Sequence, residues 1–199
     1  MNELAQARAR SAPDWLVAEM PQGYQTRVAE IQRLSSEIEA MDRIGRLLWE
    51  IGQPLADAVR DVFTALRLET EPTGRAATHD LTVKLDANRR LLLSVSHSEG
   101  TIQKKSPELA RVFQTLHEFA GDNDRVVLVA NGDRAKRPAD RSEAITADAL
   151  TFLRRMGANV LTAPALFKLW LLALQDQERA RTYLERLHAQ DGGTFQFPS

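Results

Sequence analysis

The chain has 199 residues, 43% of them hydrophobic and 27% charged, which is enough for one domain with a packed core and an appendage. With 26 Lys and Arg against 27 Asp and Glu, its net charge of −1 supplies no global field toward nucleic acid or an anionic membrane, so recognition of either would rest on a local patch. The absence of cysteine excludes disulfides and thiolate zinc sites.

Residues 1–22, with Pro13 and Pro21 around Trp15-Leu16-Val17, read as a flexible tail carrying a short apolar anchor. Residues 23–50 read as an N-terminal helix. No proline interrupts Gln25 to Glu50, and Ile31, Leu34, Ile38, Met41 and Leu48 fit an alternating three-four repeat with Gly45 in the missing slot. That is the narrow seam of a coiled-coil-like helix, able to pack on its own domain or on a second copy. At about two to three heptads it is marginal in isolation.

Residues 51–190 read as the main domain. Gly52 and Pro54 precede an amphipathic helix with Leu55, Val59, Val62, Phe63 and Leu66 on its apolar side. A short strand is predicted over 66–70, a turn at Pro72-Thr73-Gly74, and two strands over 79–85 and 89–96 joined by Asp86-Ala87-Asn88. Ser106-Pro107-Glu108 opens a helix to about Ala120, with Ser at the cap and Pro in the first turn. Arg125 to Ala130 is an apolar run suited to burial on both faces, and the loop Asn131 to Arg141 follows it. Further helices are predicted from Ser142 to Met156, from Ala163 to Leu174 and from Asp176 to His188, with a strand from Ala158 to Leu161 and a tail over 191–199. The apolar stretch Ala163 to Leu174 is broken by Pro164 and Lys168 and is too short to span a bilayer, and no cleavable signal is visible. Membrane insertion is therefore not expected, and the cytoplasm is the expected compartment.

In the strand Arg89 to Ser96 side chains alternate, so Leu92, Ser94 and Ser96 share one face and Leu91, Leu93 and Val95 the other. The succession of elements from Leu47 to Leu174, with Asp80 opening one strand and Ser94-Val95-Ser96 ending the next, resembles the α-β-β-β-α-β core of the restriction-endonuclease-like, PD-(D/E)XK superfamily. It is similar to a bacterial branch of that fold in Leu47-Leu48-Trp49-Glu50, in the segment Gly52 to Leu66, in Val127-Leu128-Val129-Ala130-Asn131, in the Arg/Pro-rich loop Arg134 to Arg141 and in Leu161-Thr162-Ala163-Pro164. The resemblance implies an α/β nuclease fold in which Asp80 stands at the family's first acid and Glu50 at its first-helix acid. The second acid and the Lys that follows it are replaced by Ser94 and Ser96. A divalent cation such as Mg²⁺ takes carboxylate, water and phosphate oxygens, and a Lys would orient the attacking water; a serine hydroxyl brings neither charge.

The expectation is thus a catalytically degenerate member of that fold, with no cofactor, acting as a binding or scaffolding module for a protein partner and forming a homodimer through Ile31, Leu34, Ile38, Met41 and Leu48. The alternative is a nucleic-acid- or nucleotide-binding protein, with nuclease activity retained only if the site has migrated. Lys84 shares a strand face with Asp80, and Glu99 lies three residues past Ser96, so a displaced Lys and carboxylate with Mg²⁺ are the form such a site would take. His79-Asp80 matches the dipeptide of metal-dependent phosphohydrolases, but no second helical ligand pair accompanies it, and a hydrogen-bonded His is the default. No phosphate loop, dinucleotide fingerprint or nucleophile elbow is present. Arg134, Lys136, Arg137 and Arg141, with Lys104 and Lys105, form the candidate anion-binding group, which Asp133, Asp140 and Glu143 lie close enough in sequence to neutralise.

Overall fold

The computed structural model describes residues 15–73 and 78–196. They belong to two compact units, 1–43 and 44–199. Residues 1–14 of the expected tail, and Gly74 of the expected turn, lie outside the described residues.

In the first unit, Leu16–Glu19 forms a single helical turn (α1), and Trp15 is exposed. The long helix α2 spans Tyr24–Gly45, close to the predicted start. Arg33 and Glu37, one turn apart on it, pair at 2.5 Å. The predicted helix continues to residue 50, whereas α2 gives way after Gly45 to a 3₁₀ turn over Arg46–Leu48. Glycine weakens the helix there, and Leu47 is fully buried in the core of the second unit with Ile44 beside it. The unit boundary accordingly falls between Arg43 and Ile44.

The second unit begins with α3 (Gly52–Ala65), whose Leu55, Val59, Val62 and Phe63 are buried as the apolar periodicity predicts. Arg67, at φ 58°, ends the helical run and admits β1 (Glu69–Pro72), slightly later than predicted. β2 (Leu81–Lys84) and β3 (Arg90–Val95) form the predicted hairpin, followed by α4 (Pro107–Glu118), β4 (Asp124–Ala130), α5 (Ala147–Arg155), β5 (Asn159–Thr162), α6 (Ala163–Gln175), α7 (Gln177–Ala189) and β6 (Gly193–Thr194). The six strands lie in sequence order in one sheet. β1, β2 and β3 are antiparallel neighbours, while β3 to β6 are parallel and joined by helical crossovers.

Two apolar layers cover the sheet. On one face Leu91, Leu93, Val95, Val127, Val129 and Leu161 pack with α3, α6 and α7; on the other Leu92, Val126, Leu128 and Val160 pack with α4 and α5. β4 is buried on both faces, as its unbroken apolar run predicts.

Two predicted boundaries are corrected by tertiary contacts. The helix expected from Ser142 starts only at Ala147, because Ile102 donates its backbone N–H to Ala144 and accepts from Thr146, holding that stretch extended. α6 and α7 are separate, as the two predicted helices are: Asp176 adopts φ −150°, and its side chain caps α7 by accepting from the N–H of Arg179. The segment after residue 190 is no loose tail. Gly193 and Thr194 pair with β5, and Phe195 is buried. That return needs Gly192, which stands at φ +80°, where a Cβ would meet the Arg154 carbonyl oxygen at 2.8 Å. Among the described residues no helix is long and apolar enough to cross a membrane.

Candidate functional site

Asp80 sits just before β2 and is fastened to the end of β3. Its N–H donates to Leu93 O at 2.8 Å, and its carboxylate accepts from the N–H of Val95 at 2.7 Å. Since Leu81 pairs with Leu93, Asp80 stands beside Ser94, on the sheet face that α4 covers. Ser94 and Ser96 are both buried there, on one face as strand alternation predicts.

The helix above them brings the charges that the strand lacks. Arg111 Nη2 donates to both carboxylate oxygens of Asp80, at 3.0 and 3.1 Å. One turn earlier, Glu108 is only 5% exposed and accepts from the Ser96 hydroxyl at 3.1 Å; its other oxygen, Oε2, has no partner. Ser96 Oγ in turn accepts from the N–H of Ser98. Ser94 Oγ donates to Thr78 O at 3.4 Å, and the Thr78 and Thr115 hydroxyls meet at 2.7 Å. His79 is buried against Phe119, with Nε2 on the Thr82 hydroxyl at 3.0 Å and Nδ1 without a partner. Burial pulls its pKa below 6.5; Arg90 and Arg111 add to the effect while Asp80 and Asp124 oppose it.

This donor set does not fit a divalent cation. A guanidinium already spans both oxygens of Asp80, the neighbouring strand positions offer neutral hydroxyls engaged with protein atoms, and Glu108 adds a single unengaged oxygen, Oε2. Among the described residues no three His, Asp or Glu come together in a way that could hold a metal ion.

Among the described residues, none of the others singled out in the sequence shares a side-chain hydrogen bond or ion pair with Asp80. Lys84 lies four residues along β2, about 13 Å away at strand spacing, and its ammonium is held by Glu69 at 2.8 Å and Glu71 at 2.6 Å. Glu99 pairs with Arg134 at 3.4 Å. Glu50 is half-buried, and its backbone carbonyl accepts from Asn131 Nδ2 at 2.8 Å. Glu108 and Arg111 were missed. The signal that points to them is their spacing of three on α4, flanking the buried Leu109 and Val112.

The basic group divides into three kinds. Arg141 is a structural clasp, donating to Asn131 Oδ1 at 2.8 Å and to the carbonyls of Leu48 and Lys136. Arg134 and Lys136 are paired, with Glu99 and with Asp133 at 3.0 Å respectively. The N–H and hydroxyl of Ser142, together with Lys136, pull the Asp133 carboxyl down to about 2. Lys104, Lys105 and Arg137 have no ion-pair partner among the described residues, and they lie in the loops that leave the carboxyl ends of β3 and β4. The opposite end of the sheet holds an open polar cleft of ≈ 850 Å³ between the β2–β3 turn and the α4–β4 loop. Its charges are largely satisfied by one another, Arg90 gripping Asp124 at 2.9 and 2.6 Å and Lys84 gripping Glu69.

A mixed sheet with an antiparallel edge and parallel centre, an acid before its second strand and helices on both faces is a restriction-endonuclease-like α/β fold. Among solved structures, 80% of the chain matches restriction endonuclease FokI with a TM-score of 0.56 at 10% identity. It matches FokI bound to DNA over the same share, with a TM-score of 0.56 at 11% identity. The chain covers 31% and 30% of those two proteins, so it spans about a third of their length, and the likeness carries the fold alone. No protein-family model and no curated protein matches the sequence.

Proposed function

We propose that this protein is a non-catalytic restriction-endonuclease-like module that works by binding. The observation that carries this reading is the Arg111 guanidinium on both oxygens of Asp80, beside Ser94 and Ser96 at the positions of the missing acid and Lys. Cleavage of a phosphodiester in such a site needs a cation to polarise phosphate and generate the nucleophile. Here the acid is committed to a side chain of its own fold. The helix α2, whose Ile31, Leu34, Ile38 and Met41 are exposed, is the element through which the module would join a protein, and the seam's spacing by itself would serve a homodimer. The test is incubation of the purified chain with linear and single-stranded DNA in Mg²⁺ or Mn²⁺. No cutting above the background of a mock purification is expected. Cutting that disappears in Asp80→Ala would overturn the reading.

A second reading is nucleic-acid binding without cleavage. It is favoured by Lys104, Lys105 and Arg137, three cations without an ion-pair partner among the described residues, at the same end of the sheet as Asp80, and by the solved complex of FokI with DNA.

A further inference from the structure

The seam of α2 is not built symmetrically for its own copy. Ile31, Leu34, Ile38 and Met41 are 44 to 59% exposed, a continuous apolar stripe along the helix. In a heptad frame fixed by that stripe, the positions beside it are Glu30 and Glu37 on one side and Val28, Ser35 and Asp42 on the other. A parallel pair of α2 helices would set Glu37 against Asp42 of the second copy and stack Arg27 on Arg27. An antiparallel pair would set Glu30 against Glu37. Neither arrangement creates a favourable pair across the seam. Within the helix only Glu37 is answered, by Arg33; Glu30 and Asp42 have no ion-pair partner among the described residues.

Flanking charges of this kind decide which helix a seam accepts, because like charges across it are repelled and opposite charges are drawn in. We infer that α2 docks an amphipathic helix of a different protein, one carrying a leucine- or isoleucine-rich stripe flanked by Lys and Arg. This rests on the reading of the protein as a binding module and names the partner's chemistry. Apolar contact would provide the attraction, and Glu30, Glu37 and Asp42 the choice of partner and its register.

The test uses the full chain and two labelled peptides of about four heptads with the same isoleucine–leucine stripe, one flanked by lysines and the other by glutamates. By fluorescence anisotropy at low salt the lysine-flanked peptide should bind at least about tenfold more tightly than the glutamate-flanked one, and the gap should close as salt rises toward about 0.5 M. Ile38→Asp should abolish binding while leaving the thermal midpoint of the protein unchanged, since Ile38 is exposed. In sedimentation the chain alone should remain monomeric at about 50 μM, well above the concentrations of a specific complex. Equal binding of the two peptides, binding of neither, or a salt-insensitive homodimer lost in Ile38→Asp would overturn the inference. DNA cleavage would overturn the non-catalytic reading without altering these titrations, so the two fail separately.

Discussion

Arg111 reaches from α4 to span both carboxylate oxygens of Asp80, at 3.0 and 3.1 Å, and so ties a helix to the hairpin. The positive charge opposite Asp80 is thereby supplied by the chain itself. Because Asp80 also accepts from the N–H of Val95, its carboxylate serves two structural ends at once.

That arrangement predicts unequal and coupled losses. Arg111→Ala should cost about 1 to 2 kcal/mol in urea unfolding and Asp80→Ala about 2 to 3, since the latter also strands a backbone donor. Both groups keep some solvent contact, which moderates these figures. The double variant should cost less than the sum by about 0.5 kcal/mol or more. Strict additivity would mean that the pair is not formed in solution.

Much of the fold is legible in the sequence because its signals are local: the apolar run of β4, the Pro107 start of α4, the glycine stop after α5 and the alternation along β3 each fix an element by short-range chemistry. The misread boundaries are long-range. Ser142 to Thr146 looks helical until Ile102 claims its backbone, and the segment after residue 190 looks like a tail until β5 offers it an edge. The candidate site divides the same way. Asp80, Ser94 and Ser96 were visible as motif positions, whereas Arg111 and Glu108 belong to it only because α4 folds back across that face. Lys84 shared the right strand face but stood at the wrong end of it.

Asn131 provides a sharper test of the join between the sheet and the segment before α3. Its amide donates to Leu47 O at 2.9 Å and to Glu50 O at 2.8 Å, while its carbonyl oxygen accepts from Arg141. Asn131→Asp keeps the shape but replaces two donated bonds with a carboxylate facing two carbonyls in a buried place. It should lower stability by about 2 to 3 kcal/mol. Asn131→Ala should cost less than Asn131→Asp, because it leaves unsatisfied acceptors without adding a charge. The reverse order in chemical denaturation would show that the Arg141 contact dominates.

His79 predicts a pH dependence. Burial holds its pKa below 6.5 in the folded protein, so the unfolded chain binds more protons once the pH falls below about 6.5. Its contribution to stability is complete above that value and declines as the pH drops toward the folded pKa, by at most about 1.4 kcal/mol per unit. His79→Gln retains a polar partner for Thr82 and removes the titration. Unfolding measured between about pH 7.5 and 5.5 should therefore be less pH-dependent in the variant than in the wild type. Parallel profiles would place the pH sensitivity elsewhere.

The basic loops distinguish binding through protein from binding through nucleic acid. Arg141 is committed to carbonyl oxygens and Lys136 to Asp133, so a phosphate backbone would have to be met by Lys104, Lys105 and Arg137. If it is, oligonucleotide affinity should fall with salt at a log–log slope of about −2 to −3, one unit for each neutralised phosphate. Arg137→Ala should then reduce that slope by about one without altering stability, because Arg137 makes no ion pair among the described residues. Arg141→Ala should instead destabilise the protein, through the carbonyls it leaves unmet. A flat titration with duplex and single-stranded oligonucleotides at low salt would leave these three cations as a solvated face and a protein helix as the remaining ligand.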